Sequence, residues 1–252
     1  MSAPAITQLQ APAPWAAVDV VSDLHLDASE PRTFEAWRRY LRDTPADAVF
    51  ILGDLFEVWV GDDAAQQPGF AADCAAVIRQ AARQRAIFFM HGNRDFLVGQ
   101  EFLQSCGGEL LSDPAVLVFA GRRWLLTHGD ALCLADAEYM RFRAEVRAPQ
   151  WQRDFLAKPL AQRQQIAREL RERSEARKRS GLEYPDVDSA AAAAWLEAAD
   201  AQVLIHGHTH RPADHALGGR RRIVLSDWDA DSTPPRLEVL RLAAGGAQRI
   251  AL

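Results

Sequence analysis

Five apolar runs of this chain each stop abruptly at residues that can bind a metal ion. Their ends read "SDLHLD" (22–27), "LGDLFE" (52–57), "HGNRDF" (91–96), "THGD" (127–130) and "HGHTH" (206–210). Short continuous apolar runs bounded by turn signals mark strands buried on both faces. Helical patterns lie between them. In "EPRTFEAWRRYLRDT", Pro31 suits a first helical turn, and Phe34, Trp37, Tyr40 and Leu41 recur at helical spacing. A second helix is predicted over 69–84. "AVLVFAGRRWLLTHGD" (115–130) reads as a hairpin around Gly121 with a strand ending at His128. Strands alternating with helices predict an α/β fold. The carboxyl ends of strands in such a sheet form its ligand crevice, so the five polar ends converge on one rim.

The 252 residues suit one large domain carrying an insertion. The formal net charge of −5 argues against a nucleic-acid binder. Cys74, Cys106 and Cys133 form no CxxC pair, which points to free thiols in a reducing compartment. "MSAPAITQLQAPAPW" has no Lys or Arg and no sustained apolar run. It reads as a mobile tail over 1–15, neither secretory signal nor anchor, and the chain is expected to be cytoplasmic. The domain proper is 16–252. Within it, about 134–200 is helical in composition with no convincing strand. Residues 141–179 hold twelve Lys/Arg against five Asp/Glu, inside an otherwise acidic body. This is either a solvated helix face or a cap that attracts an anionic ligand or membrane surface.

Carboxylate, amide and imidazole donors without thiolate suit Mn²⁺, Fe²⁺ or Zn²⁺. The donors are too many for one tetrahedral ion. A pair of ions about 3.5–4 Å apart is the usual arrangement for phosphoester hydrolysis. Asp54, on the central strand end, is the candidate bridging carboxylate. His206 could be a ligand by sequence alone. Asp62, Asp63 and Asp130 either tune the metal surroundings or close turns. Cys133 has no base partner in sequence and reads as packing. Gly207 is expected to permit a sharp turn.

The order Asp-x-His, Gly-Asp, Gly-Asn-x-Asp, His-Gly, Gly-His-x-His resembles that of the calcineurin-like metallophosphoesterases. The likeness runs from about 18 to 228. It implies a four-layer αββα sandwich (α/β, α+β) with a dinuclear metal site. "SDLHL", "ILGDLFEVWVGDD", "HGNRDFLVG", "THGDALCLAD" and "LIHGHTHRP" are similar to the diphosphatases that act on UDP-2,3-diacylglucosamine in lipid A biosynthesis. That resemblance implies two Mn²⁺ ions per chain and a peripheral place on the cytoplasmic face of the inner membrane. It implies cleavage of the substrate pyrophosphate to UMP and 2,3-diacylglucosamine 1-phosphate; the sequence does not fix the oligomeric state, and a monomer is the expectation. One ion would take Asp23, His25, Asp54 and His210. The other would take Asp54, Asn93, His128 and His208, which leaves His206 a supporting role.

Asn93, Arg94 and His208 would serve catalysis and touch the substrate. Arg94 stands where many superfamily members carry a catalytic His, and its planar fork suits phosphate. Asp136, Ser174, Arg177 and Lys178 match further substrate contacts. The helical insertion at about 134–200 would be the cap that holds the acyl chains. Phe142, Trp151, Phe155, Leu156, Leu160, Ile166 and Leu170 could line an acyl pocket or form the cap's own small core. Another dinuclear phosphodiesterase or nucleotide pyrophosphatase, and a non-enzymatic scaffold of the same fold, are the alternatives.

Overall fold

The computed structural model describes residues 4–179 and 185–252, with 173–179 described by their helical backbone only. Three of the apolar runs become adjacent parallel strands: β2 (Ala17–Val21), β3 (Ala48–Leu52) and β4 (Ala86–Met90). Val21 pairs with Ile51 and Ile51 with Phe89, so the strands end level and deliver their polar ends to one rim. With β5 (Gly108–Leu111), β11 (Glu238–Ala243) and β12 (Gly246–Ala251) they form a sheet ordered β12–β11–β2–β3–β4–β5.

The other two runs become β7 (Arg122–Leu126) and β8 (Val203–His206), parallel neighbours in a second sheet. Its other strands are β1 (Thr7–Gln10), β6 (Ala115–Phe119), β9 (Ala213–Leu217) and β10 (Arg220–Val224), and its order is β1–β6–β7–β8–β10–β9. The expected hairpin around Gly121 is the β6–β7 pair.

Successive side chains of a strand point to opposite faces. In β3, Ala48, Phe50 and Leu52 face the second sheet. Val49 and Ile51 face away, toward α1 (Pro31–Asp43) and α2 (Phe70–Ala81). The inter-sheet core includes Phe50, Phe88, Trp124 and Ile205. The outer face of the second sheet packs Val116, Leu125 and Leu204 against Ala192, Trp195 and Leu196 of α7 (Ser189–Ala198). Three apolar interiors therefore separate four layers, α–β–β–α, as the resemblance implied. Phe50 is buried and stacks on Phe88 with ring centroids 4.5 Å apart. Phe50→Ala is expected to cost about 3–5 kcal/mol of stability, readable by chemical denaturation; a loss below about 1 kcal/mol would contradict this packing.

Two boundaries differ from expectation. In place of a tail throughout 1–15, residues 7–10 form β1, parallel to β6 from Thr7↔Ala115 to Gln10↔Val118. Leu9 turns onto the inter-sheet core while its polar neighbours face out, an alternation too short to stand out in sequence. The cap is α4 (Ala137–Val146), α5 (Pro149–Leu156) and α6 (Leu160–Arg179). Helix α7, inside the expected cap boundary, is an outer layer of the sandwich, and its small alanines let it lie close on the sheet.

The cap is tied down by Arg163, only 3% exposed. Its guanidinium pairs with Asp63 and donates to the carbonyls of Val60 and Lys158. Asp63 thus clamps α6. Asp62 accepts from Trp59 Nε1 (3.0 Å) and Gly99 N (2.9 Å), closing the loop beneath.

Candidate metal centre

All seven donors read from the sequence meet at the rim. Among the described residues, Asp23, His25 and His210 form one cluster and Asp23, Asp54 and His128 another, the ligand atoms of each lying within 4.8 Å of one another. His25 Nε2 faces His210 Nε2 at 3.2 Å, and His210 Nε2 lies 3.4 Å from Asp23 Oδ1. Asp54 Oδ2 lies between the clusters, 3.9 Å from His25 Nε2 and 3.7 Å from His128 Nε2. Asn93 Oδ1 is 3.0 Å from His128 Nε2 and 2.7 Å from His208 Nδ1. Asp23 belongs to both clusters, and Asp54 stands between His25 and His210 on one side and Asn93, His128 and His208 on the other.

The backbone is bent hard to achieve this. Asp23, His25, Asp54, His208 and His210 all adopt left-handed φ of 49–66°. Such conformations cost of order 1–3 kcal/mol each and collect at functional sites. Close approach demands glycine at two points. A Cβ on Gly207 would fall 2.1 Å from Asp23 Oδ2, and one on Gly92 would fall 2.1 Å from Asp54 Oδ1. The space beside Asp23, rather than a left-handed φ, is what selects glycine at 207.

Supporting groups set the tautomers. His128 Nδ1 donates to the Leu52 carbonyl at 2.8 Å, which turns the Nε2 lone pair toward the cluster. His25 Nδ1 lies 2.8 Å from Glu57 Oε2. Glu57 also approaches Arg94 Nη1 (3.5 Å) and Arg171 Nε of the cap (3.2 Å). Against the cost of burial, His25 and these arginines pull its carboxyl down to about 2.

Asp95 is fully buried, and its carboxylate accepts from the backbone N–H groups of Gly92, Asp54, Leu55 and Phe56. It fixes the loops bearing Asn93 and Asp54 to each other. Burial and the neighbouring Asp54 push it up to about 7. Neither Glu57 nor Asp95 was singled out in the sequence. Both lay inside the quoted motifs, each within three residues of a donor, and that proximity was the only signal available.

The donor set fits divalent cations. Asp23 and Asp54 are almost wholly buried, where an ionised carboxylate is costly without a positive partner. Burial opposes charge on Asp23, but His210 and the other histidines hold it well below the usual carboxylate range. Burial also opposes a proton on His128, yet Asp54, Asp23 and Asp130 raise it to about 9. The carboxylates thus create a demand for positive charge that bound metal would meet.

His206 stands outside the cluster. It is buried, its Nδ1 lies 2.8 Å from the Gly207 carbonyl, and burial brings it down to about 4. Cys133 packs in the interior beneath α7, and burial pushes its thiol up to about 12. Asp130 is buried behind His128 and pairs with Arg143 of α4. Asp136 caps α4 by accepting from Tyr139 N at 3.0 Å. The side chains of Ser174, Arg177 and Lys178 lie outside the described residues.

A cavity of about 670 Å³ opens from the donors beneath the cap. Arg94 and Asp136 line it, as do Phe142, Trp151, Phe155 and Leu170. Leu156, which is exposed, and Leu160 and Ile166, which pack on the same core as Trp151 and Phe155, do not line the cavity.

The calcineurin-like phosphoesterase profile matches residues 16–212. The chain belongs to that family. Among curated relatives it is similar to proteins named UDP-2,3-diacylglucosamine hydrolase. That of Marinobacter nauticus is 46% identical over 83% of this chain and 88% of its own length. That of Ralstonia nicotianae is 45% identical over 89% and 88%. That of Chromobacterium violaceum is 47% identical over 84% and 90%.

Proposed function

We propose that this protein hydrolyses the pyrophosphate bond of UDP-2,3-diacylglucosamine, releasing UMP and 2,3-diacylglucosamine 1-phosphate, with two Mn²⁺ ions at the rim. The observation that carries the reading is one cavity lined both by the candidate metal donors with Arg94 and by the apolar side chains of the cap. The relatives' shared name supplies the substrate. Asp23, His25, His210 and Asp54 would hold one ion, and Asp54, Asn93, His128 and His208 the other. When bound, the pair supplies an activated water and Lewis-acid stabilisation of phosphoryl oxygens.

The chain's own groups do the rest. Arg94, held near Glu57, presents a planar fork to the phosphoryl oxygens and stabilises their charge. Its role is to stabilise charge rather than to donate a proton. Asn93 and His208 orient the uridine-side phosphoryl group, and Asp136 lies where the glucosamine would enter. The apolar cap wall takes the acyl chains and excludes water. The P–O bond to the lipid phosphate breaks, and 2,3-diacylglucosamine 1-phosphate leaves. The basic stretch 141–179 favours peripheral attachment to the anionic cytoplasmic face of the inner membrane. No helix among the described residues is long and apolar enough to cross a membrane.

Ala167 lines the cavity, so Ala167→Trp tests the acyl assignment. Overfilling costs about 1–3 kcal/mol, so KM for the lipid should rise about tenfold or more. Turnover of a soluble aryl phosphodiester should fall far less. Equal effects on both substrates would sink the acyl reading.

A further inference from the structure

Each of the loops that bring Asn93, His128 and His208 to the rim is touched by the same face of cap helix α4, and one buried carboxylate holds that face down. Asp130 follows His128 by two residues and is fully buried. Its Oδ2 accepts from Tyr139 Oη at 2.6 Å and Arg143 Nε at 2.8 Å, with Arg147 Nη2 at 3.9 Å. Residues 139, 143 and 147 recur at i, i+4 and i+8, one stripe running off the end of α4. The stripe reaches onward to the donors. The Tyr139 ring lies 5.8 Å from the His208 ring, centroid to centroid. Arg147 Nη2 donates to the carbonyl of Gly92, the residue before Asn93, at 2.8 Å. The Asp23, His25 and His210 group is braced without Asp130: Asp23 accepts from His208 N, and His25 meets Glu57, which Arg171 of α6 contacts at 3.2 Å. The cap's other anchor, Arg163, meets Asp63, Val60 and Lys158.

We infer that Asp130 is a positioning residue that couples the cap to one metal position: by seating Tyr139, Arg143 and Arg147 it holds Asn93, His128 and His208 at the spacing a divalent cation needs. Cap seating through Asp130 and affinity for that ion are therefore linked, while the ion at Asp23, His25 and His210 lies beyond the reach of this clasp. The inference rests on the two-ion reading of the site.

The test is calorimetric titration of metal-stripped protein with Mn²⁺, with bound metal counted after dialysis. Wild type should bind two ions. Asp130→Asn should keep one and lose affinity for the other by about 10- to 100-fold, the usual effect of removing a group that orients metal ligands. Asp63→Asn, which cuts the other cap anchor, should bind both ions as wild type does. Should Asp130→Asn fail to fold, the double variant Tyr139→Phe with Arg143→Gln removes the same clasp from the cap side and should give the same selective loss. Two ions bound with wild-type affinity by the clasp variant would overturn the inference. So would equal weakening of both ions, or the same loss in Asp63→Asn. A single ion in wild type would instead overturn the two-ion reading itself, and the inference with it.

Discussion

Asp54→Ala is expected to lower kcat/KM for the glycolipid by at least about 10³-fold. Asp54 Oδ2 stands between the two donor groups, within 4 Å of a ring nitrogen of each, His25 Nε2 at 3.9 Å and His128 Nε2 at 3.7 Å. Its other oxygen accepts from the backbone N–H of Arg94 at 2.8 Å. Alanine removes the shared donor and releases the loop that presents Arg94. The fold should survive, because Asp95 still ties the surrounding backbone together. Steady-state kinetics with Mn²⁺ titration checks this. A variant that keeps both ions and a tenth of the activity would show that Asp54 does not bridge.

Arg94→Lys is the second large effect, about 10²–10³-fold in kcat, similar to removing one preorganised charge-stabilising donor. Lysine keeps the charge but loses the fork that can meet two phosphoryl oxygens at once. It also gives up the guanidinium contact to Glu57 at 3.5 Å. Metal stoichiometry should be unchanged, which separates this variant from Asp54→Ala. Activity within a few fold of wild type would mean that a point charge suffices at this position.

The convergence of the candidate donors was legible because each follows an apolar run, and parallel strands that end level carry such ends to one place. The four layers were legible for the same reason, since β3 and β4 alternate between two buried faces. What escaped the sequence depends on groups brought together only by folding. Asp95 looks like any loop aspartate until four backbone N–H groups from two strand ends converge on it. Glu57 gains its role from Arg171, far along the chain in the cap. Asp63 reads as a turn residue until Arg163 is packed against it. Strand β1 escaped because four residues beside prolines carry too little periodicity, and its stability comes from β6. His206 shares a five-residue stretch with two candidate donors, and its place at the end of β8, outside both clusters, agrees with the supporting role expected of it.

The most direct measurement is product analysis of UDP-2,3-diacylglucosamine turnover in ¹⁸O-labelled water, with metal-stripped protein and after Mn²⁺ is restored. The expected result is no cleavage without metal. With metal, UMP should carry the label and 2,3-diacylglucosamine 1-phosphate should carry none. Absence of cleavage in the Mn²⁺-loaded protein, or label in the lipid phosphate, would contradict the proposed reaction.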